Sequence, residues 1–425
     1  VRPGSTSRGR RLGFRGPALI FLGAVLVRIL FVFVVYPLTP GSHPEIVRAG
    51  DGYTDIAENL IRGNGYIRSE ALGPELQRPP AYPLLNYLVF LVTGVNDRAM
   101  VVFQCLVGGL DALLVLWIGN LLISRRVAYL SAAVFAVFPV QIFYTTLLAR
   151  EALDLPLTAG LAAALWSALS SRSRRRSLAF ALLAGALAGL ASLTNAMWVL
   201  LGGSWCLLTA WLLRTRVRPA SAVLALLVVT QAAFILPWTL RNYRVTGRVV
   251  PISTSGGLTL WQGTFLMDYP WNSPYEHGQQ VKQCLQAAQR IIDRGALNPT
   301  PEEDAVFRRL ALENIRNHPG RWVRALARNS LRIWYYNARR SRIPFILAMQ
   351  LPFLLAAAWG LVLLWRASRV TALFLVFPVL YNVVLHMPFV AIVRYSTSST
   401  PFLAIFIGFL IARWIGRSVA TGPAH

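Results

Sequence analysis

Apolar runs of about 20 residues recur along this chain, and nothing else in it limits the fold as strongly. A hydrocarbon layer offers no water to an open backbone, so each such run must close its own hydrogen bonds as a helix. Ten runs are readable, at roughly 17–37, 99–122, 127–144, 152–170, 178–193, 197–213, 220–238, 344–365, 370–387 and 401–415. The fifth and sixth are short and are separated by little more than Ser192, Thr194 and Asn195, which fits either a tight hairpin or one partly re-entrant element. Of the 425 residues, 55% are hydrophobic and 14% charged, too apolar for soluble domains. The predicted fold class is therefore an all-α polytopic membrane protein. A net charge of +25 would suggest a nucleic-acid partner in a soluble chain, but the hydropathy overrides that reading. Every basic residue except Lys282 is Arg, and Cys105, Cys206 and Cys284 are too scattered for a disulfide framework or a Cys-type zinc site.

Basic clusters set the orientation. Arg8, Arg10, Arg11 and Arg15 precede the first run, Arg125 and Arg126 join the second to the third, and Arg172, Arg174, Arg175 and Arg176 follow the fourth. Arg214, Arg216 and Arg218 follow the sixth, Arg366 and Arg369 the eighth, and Arg413 and Arg417 close the tenth. All fall on one side, which the positive-inside rule makes cytoplasmic. Both termini are then inside the cytoplasmic (inner) membrane, and the first run is too long to read as a cleaved signal peptide. The chain divides into a basic N-terminus (1–16), an N-terminal transmembrane module (17–238) that includes an outer loop (38–97), an extracytoplasmic segment (239–343), and C-terminal helices with a tail (344–425). No carboxylate lies in a cytoplasmic loop. Glu45, Asp51, Asp55, Glu58, Glu70, Glu75 and Asp97 lie in the first outer loop, those from Asp268 to Glu313 in the second, and only Asp111, Glu151 and Asp154 touch apolar runs. Chemistry that needs carboxylates is expected at the face toward the periplasm or exterior.

Within the outer loops, 53–62 has an amphipathic pattern ended by Gly63 and Gly65, and 80–92 is apolar yet too short to span, with Pro79-Pro80 at its start. Both are expected to lie along the membrane as interfacial helices. The stretch 246–298 reads as turn-rich. Pro299-Thr300-Pro301 then leads into Glu302, Glu303 and Asp304, acids that suit a helix start, and His318-Pro319-Gly320 separates that helix from another at 322–336. Arg324, Arg328 and Arg332 recur on the second helix at four-residue spacing, as on a helix anchored near anionic headgroups.

Several residues carry two readings each. Asp51, between Gly50 and Gly52, is either the cap of the helix that follows or a general base toward an acceptor hydroxyl. Arg150-Glu151 stands at the edge of the hydrocarbon, where an ionisable pair is costly without partners, as a functional site or a mutual ion pair; Asp154 joins that site or pairs with Arg150. Arg241 and Arg394-Tyr395 lie at the outer rim, where a guanidinium either clamps phosphate oxygens in pairs or anchors the interface. His386 reads as structural, and Arg28 and Asp111, inside the first two runs, pair or line a cavity. No Gly-rich phosphate loop, zinc spacing or nucleophile elbow is present, which removes support for nucleotide, zinc or serine hydrolase chemistry.

The stretch Asp51-Gly-Tyr-Thr-Asp-Ile-Ala-Glu-Asn-Leu-Ile-Arg-Gly-Asn-Gly-Tyr66, followed by Arg78-Pro-Pro-Ala-Tyr-Pro-Leu-Leu85, resembles the first outer loop of bacterial glycosyltransferase family 39 proteins. These have the GT-C fold, with relatives among protein O-mannosyltransferases and lipid A aminoarabinose transferases. Pro237-Trp-Thr-Leu-Arg-Asn-Tyr-Arg-Val-Thr-Gly247, Ser255-Gly-Gly and His318-Pro-Gly-Arg-Trp322 are similar to other stretches of that group. The resemblance implies a GT-C-like bundle of about ten transmembrane helices with outer-face interfacial helices. It further implies an enzyme that moves a sugar from a polyprenyl-phosphate-linked donor to an acceptor glycan, lipid or protein outside the membrane. Asp51 takes the place of the catalytic carboxylate and Glu151 that of the acid in the second short outer loop. Arg78, Arg150, Arg241 and Arg394 are the expected phosphate ligands; Tyr53, Asp55, Tyr82 and Tyr395 are expected to contact substrate. Two departures stand out: Ser396-Thr397-Ser398 follows Arg394-Tyr395 where relatives often carry a basic residue and Leu-Pro, and Gly52 follows Asp51 where many members have a second acid. The second departure disfavours a divalent metal, and no other cofactor is expected. The topology alone also fits a lipid or solute transporter or a non-catalytic scaffold, although a transporter would want carboxylates on both sides.

Overall fold

The computed structural model describes residues 13–38, 47–48, 51–214, 217–265, 298–337 and 340–420. Arg8, Arg10, Arg11, Glu45, Arg216, Asp268, Lys282 and Cys284 fall outside them. Eight helical segments among the described residues are long and apolar enough to cross a membrane. They are α1 (Arg15–Leu30, continued by tighter and wider turns to Leu38), α4 (Asp97–Leu122), α7 (Glu151–Ser170), α8 (Arg174–Thr194), α10 (Val217–Thr246), α14 (Ile343–Ala367), α15 (Arg369–His386) and α16 (Thr400–Ala420, preceded by a turn from Val393). The shorter α2 (Tyr53–Ile61) and α3 (Ala81–Thr93) lie between α1 and α4, in the first loop expected to face outward; α11 (Gly256–Phe265), α12 (Pro301–Asn317) and α13 (Pro319–Arg332) lie between α10 and α14, in the second.

Two expected spans come out differently. The third is two pieces, α5 (Arg125–Ala136) and α6 (Pro139–Tyr144), because Pro139 has no N–H to give and forces Phe138 into an extended conformation with ψ 115°. The sixth is a tight turn, Ala196–Leu200, leading into α9 (Leu201–Leu212), so the run after α8 is a separate, shorter helix. Asn195 ends α8 in an extended conformation and accepts from the Met197 amide at 3.2 Å, which makes the break.

The break between α5 and α6 frees carbonyls at membrane depth, and Arg28 answers it. Its Nη1 donates to Ala136 O at 3.4 Å and to Ala24 O at 3.0 Å, with only 1% of the residue exposed. The guanidinium lies against Gly108 of α4, where a Cβ would collide with it. Elsewhere the core is built on small residues. α7 packs on α8 at Gly160, where a Cβ would meet Leu187, and α8 on α10 at Gly185 and Gly189, where one would meet Leu227, Thr230 and Phe234, so the helix backbones approach closely. α16 fills the space between α5 and α14 with the buried rings of Phe402 and Phe406.

The two outer segments are stitched into one cap. Thr254 N donates to Leu76 O at 3.1 Å, Leu76 N to Asn298 Oδ1 at 2.8 Å, and Asn298 Nδ2 to Pro74 O at 2.8 Å. α12 starts with a capping box between Thr300 and Glu303. α11, in the stretch expected to be turns, is capped from outside its own sequence: the Asp304 carboxylate accepts from Gly257 N at 2.8 Å and Leu258 N at 3.1 Å. α13 turns Ala325 and Asn329 inward and leaves Val323 and Leu331 exposed beside Arg321 and Arg324.

Candidate active site

A two-residue parallel pairing begins the site. Val47–Arg48 (β1) runs beside Leu147–Leu148 (β2) in the register Val47 to Leu147 and Arg48 to Leu148. It carries the first outer loop alongside the start of α7, so Asp51, three residues past β1, and Glu151, three past β2, arrive together. Gly52 makes the next turn possible with φ +77°, a conformation that L side chains rarely adopt, and its missing Cβ leaves room for Arg68. Gly52 is the N-cap of α2, and no side chain caps that helix. Asp51 is therefore free of the capping duty its sequence position suggested.

It is engaged instead by Arg394, which reaches it from the turn before α16. Arg394 Nη2 lies 2.7 Å from Asp51 Oδ2, and its Nε lies 2.8 Å from Glu151 Oε2. Arg150 Nε is 3.7 Å from Glu151 Oε1, a longer contact than the one Arg394 makes, so Arg150 and Glu151 are not simply each other's partners. Arg78 is buried behind Asp51 and donates through Nε to its backbone carbonyl. Burial opposes ionisation of Asp51, but the Arg394 guanidinium, with Arg78 and Arg150 behind it, outweighs burial and holds the carboxyl below its ordinary value. Asp51 keeps 34% of its side chain exposed, whereas Glu151 keeps 7%. The pair thus offers one open carboxylate and one enclosed one.

Other expected site residues divide. Tyr395 lies against Arg150, whose guanidinium is 6.0 Å from the ring centre. Tyr53 is buried beside the cluster, and burial raises its phenol above the ordinary value. Tyr82 packs edge-on against Tyr53 with centroids 5.2 Å apart, and its hydroxyl donates to Gln104 Oε1 at 2.6 Å. At 1% exposure it is a floor beneath the site, not a wall of it. Asp55 is not brought into the cluster; it faces Arg68 at 3.6 Å. Arg241 is not brought in either. It donates to Glu75 O at 2.6 Å, Tyr66 O at 3.3 Å and Asn242 Oδ1 at 3.0 Å, and lies over the rings of Tyr66 and Trp238. Its role there is to tie α10 to the first outer loop.

Three residues that the sequence did not single out shape this centre. Glu75 is fully buried, and its Oε1 accepts from the amides of Gln77 and Arg78 at 2.8 and 3.0 Å, forming the turn that delivers Arg78. Burial raises its carboxyl, and Arg78 works against that rise. Gln104 of α4 donates to Thr145 O and Leu147 O at 3.0 and 3.1 Å and so holds the approach to β2. Gln141 of α6 donates to Thr397 O at 2.7 Å, three residues beyond Arg394. Only Glu75 had a sequence signal, as an acid inside an otherwise Pro-rich turn. A narrow polar cavity of about 20 Å³ runs from Glu151 past Gln104 and Gln141 to Asp111 and Arg28, so those two intramembrane charges line one space. A larger groove, about 680 Å³ between α9, α10 and α15, is lined by Leu207, Trp211 and Arg214 and holds no carboxylate. Among the described residues no three His, Cys, Asp or Glu gather as metal ligands would; Asp51 and Glu151 meet across Arg394.

The architecture is a bundle of membrane-length helices capped by two sets of shorter helices. Residues 77–240 match the sequence model of a family described as dolichyl-phosphate-mannose-protein mannosyltransferase, a stretch that contains Arg78, Arg150 and Glu151 but neither Asp51 nor Arg394. No protein of curated function matches the chain by sequence. Among solved structures, the archaeal oligosaccharyltransferase AglB from Archaeoglobus fulgidus, in complex with an inhibitory peptide and a dolichol-phosphate, superposes with a TM-score of 0.58 at 11% identity over 96% of this chain. The same oligosaccharyltransferase tethered to an acceptor peptide containing the NVT sequon matches with a TM-score of 0.58 at 13% identity over 94% of the chain. This chain spans about half the length of that oligosaccharyltransferase, 52% and 50% in the two structures. ArnT from Cupriavidus metallidurans, bound to undecaprenyl phosphate, matches with a TM-score of 0.45 at 15% identity, over 96% of this chain and 80% of ArnT.

Proposed function

We propose that this chain is a membrane glycosyltransferase that moves a sugar from a polyprenyl-phosphate-linked donor to an acceptor at the outer face of the cytoplasmic membrane. One observation carries the reading: Arg394 bridges the two carboxylates, Asp51 and Glu151, and the three residues come from three separate segments of the chain. The shared fold with AglB, whose complex holds a dolichol-phosphate, and the family match over 77–240 support the donor class. The basic clusters opposite this site support the outward orientation, with both termini inside.

Asp51, the more open carboxylate, is the general base. The acceptor hydroxyl attacks the anomeric carbon, its proton passes to Asp51, and the bond from that carbon to the phosphate oxygen breaks with inversion. Charge then grows on the leaving phosphate, and Arg394, Arg78 and Arg150 are placed to meet it. Glu151, enclosed beside Arg394, faces the positive charge that develops on the sugar ring. A base held below its ordinary pKa is a weak one. The donor phosphate, competing for Arg394, would loosen the Arg394–Asp51 pair and strengthen the base only when substrate is bound. Arg241 has no part in this, since its donors are committed to the outer loop.

The test is mass spectrometry of lipid extracts from cells that express the wild-type chain or Asp51→Asn and lack redundant homologues. A polyprenyl-phosphate sugar that accumulates with the variant supports transfer and identifies the donor. Equal extracts from equally expressed proteins remove the enzyme reading and favour a transporter or scaffold.

A further inference from the structure

The residue that follows Arg394 is held from several sides. The Tyr395 ring stacks on the imidazole of His386, with centroids 4.7 Å apart and planes 30° apart, and Arg150 lies beyond it. The Tyr395 carbonyl accepts from Asn382 Nδ2 at 2.8 Å, and the same amide donates to Ser399 Oγ at 3.1 Å. Asn382 and His386 stand one turn apart on α15 and so project to one side of it. His386 Nδ1 bonds Asn382 O at 2.8 Å; a carbonyl only accepts, so Nδ1 carries the proton and the ring is fixed in its plane. Both residues are almost wholly buried, at 1% and 3% exposure. From the other side, Val393 N donates to Tyr336 O at 2.8 Å, and Asn329 Nδ2 donates to Met387 O and Phe389 O, both at 3.0 Å.

We infer that Asn382 and His386 are positioning residues: by gripping Tyr395 through its carbonyl and its ring, they set the Arg394 guanidinium across Asp51 and Glu151. A guanidinium shared between two carboxylates at 2.7 and 2.8 Å leaves little room, since the attraction of such close, enclosed charges falls off as they separate. The consequence for rate rests on the transfer reading, but the geometry does not. His386 read as structural in the sequence because an isolated histidine in an apolar run gives no hint of the ring it stacks on.

The experiment uses the purified full chain in detergent, with His386→Ala, and with His386→Phe to keep a ring in the stack should the alanine variant fold poorly. Hydrogen exchange of residues 393–399 reads the grip whether or not sugar is transferred, and exchange of α12 serves as the internal control. Transfer is read with polyprenyl-phosphate mannose as the probe donor. In His386→Ala, exchange at 393–399 is expected to rise with α12 unchanged, kcat to fall on the order of tenfold or more with KM nearly constant, and the acidic limb of the pH profile to move to higher pH. That last shift arises because Asp51, faced by Arg394, Arg78, Arg150 and Glu151, loses its nearest cation. His386→Phe should restore most of the exchange protection and the rate. Wild-type values of both exchange and acidic limb in His386→Ala would overturn the inference, and so would faster exchange with an unmoved limb and kcat. If the wild type transfers nothing while exchange responds as expected, the positioning stands and the transfer reading falls.

Discussion

Replacing Arg394 with Gln keeps a polar side chain in place and removes the charge that joins the two carboxylates. Its cost can be worked from the contacts. Glu151 is 7% exposed and lies 2.8 Å from Arg394, while Asp51 is 34% exposed and lies 2.7 Å away. Removing one partner of a buried ion pair costs about 3–5 kcal/mol, because the remaining charge stays enclosed. A pair open to water is worth under about 1 kcal/mol. The Glu151 half belongs to the first case, and the Asp51 half lies between the two, since a third of that side chain can hydrate while the oxygen facing Arg394 is buried. Arg150, 3.7 Å from Glu151, retains some of the compensation. Arg394→Gln should therefore lose about 3 kcal/mol, most of it through Glu151. The assay is unfolding in detergent of Arg394→Gln, Glu151→Gln and the double variant. With the bridge and its enclosed carboxylate removed together, the cost of breaking their contact is not counted twice, so the double variant should recover about 2 kcal/mol against the sum of the singles. An Arg394→Gln protein as stable as the wild type, or two effects that simply add, would refute the bridging role.

Three further outcomes are expected. Because Arg394 depresses the Asp51 carboxyl, Asp51 stays ionised below the ordinary Asp value of about 4; its contribution to stability is present above that value and is lost as pH falls through the depressed one. The acidic limb of a transfer profile should lie correspondingly low and move up in Arg394→Gln. Gly108→Ala places a Cβ on the Arg28 guanidinium and should cost about 1–3 kcal/mol in a detergent melt, a cost that should largely vanish when the same substitution is made in an Arg28→Met background. Thr300→Ala removes the capping box of α12 and should cost about 1 kcal/mol, read by the same melt.

Much of the secondary structure is legible because its causes are local. The amphipathic stretch at 53–62 and the apolar one at 80–92 appear as Tyr53–Ile61 and Ala81–Thr93, and Thr300 and His318-Pro319 mark the ends of α12 as their capping chemistry requires. The third run is continuous in apolarity but not in hydrogen bonding, because the missing donor of Pro139 splits the helix there. α11 was missed because its cap, Asp304, comes from a helix nearly fifty residues later. The Arg residues show the same limit. Arg241 and Arg394 have equal standing in the sequence, both at the outer rim, yet one ties a loop to α10 and the other bridges the two carboxylates.

What the sequence determined by itself is the membrane-spanning helical class, the approximate positions of most of the long helices, and the confinement of carboxylates away from the basic loops. Those follow from a rule applied one segment at a time: in hydrocarbon each run must satisfy its own backbone, and each loop carries its own charge. Tertiary structure alone decided that Asp51, Glu151 and Arg394 meet within hydrogen-bonding distance, that Arg28 answers the broken helix at Ala136, and that His386 stacks on Tyr395. Such meetings depend on how helices rotate and slide against one another, and that is set by the summed packing of many small faces, which no single stretch of sequence records.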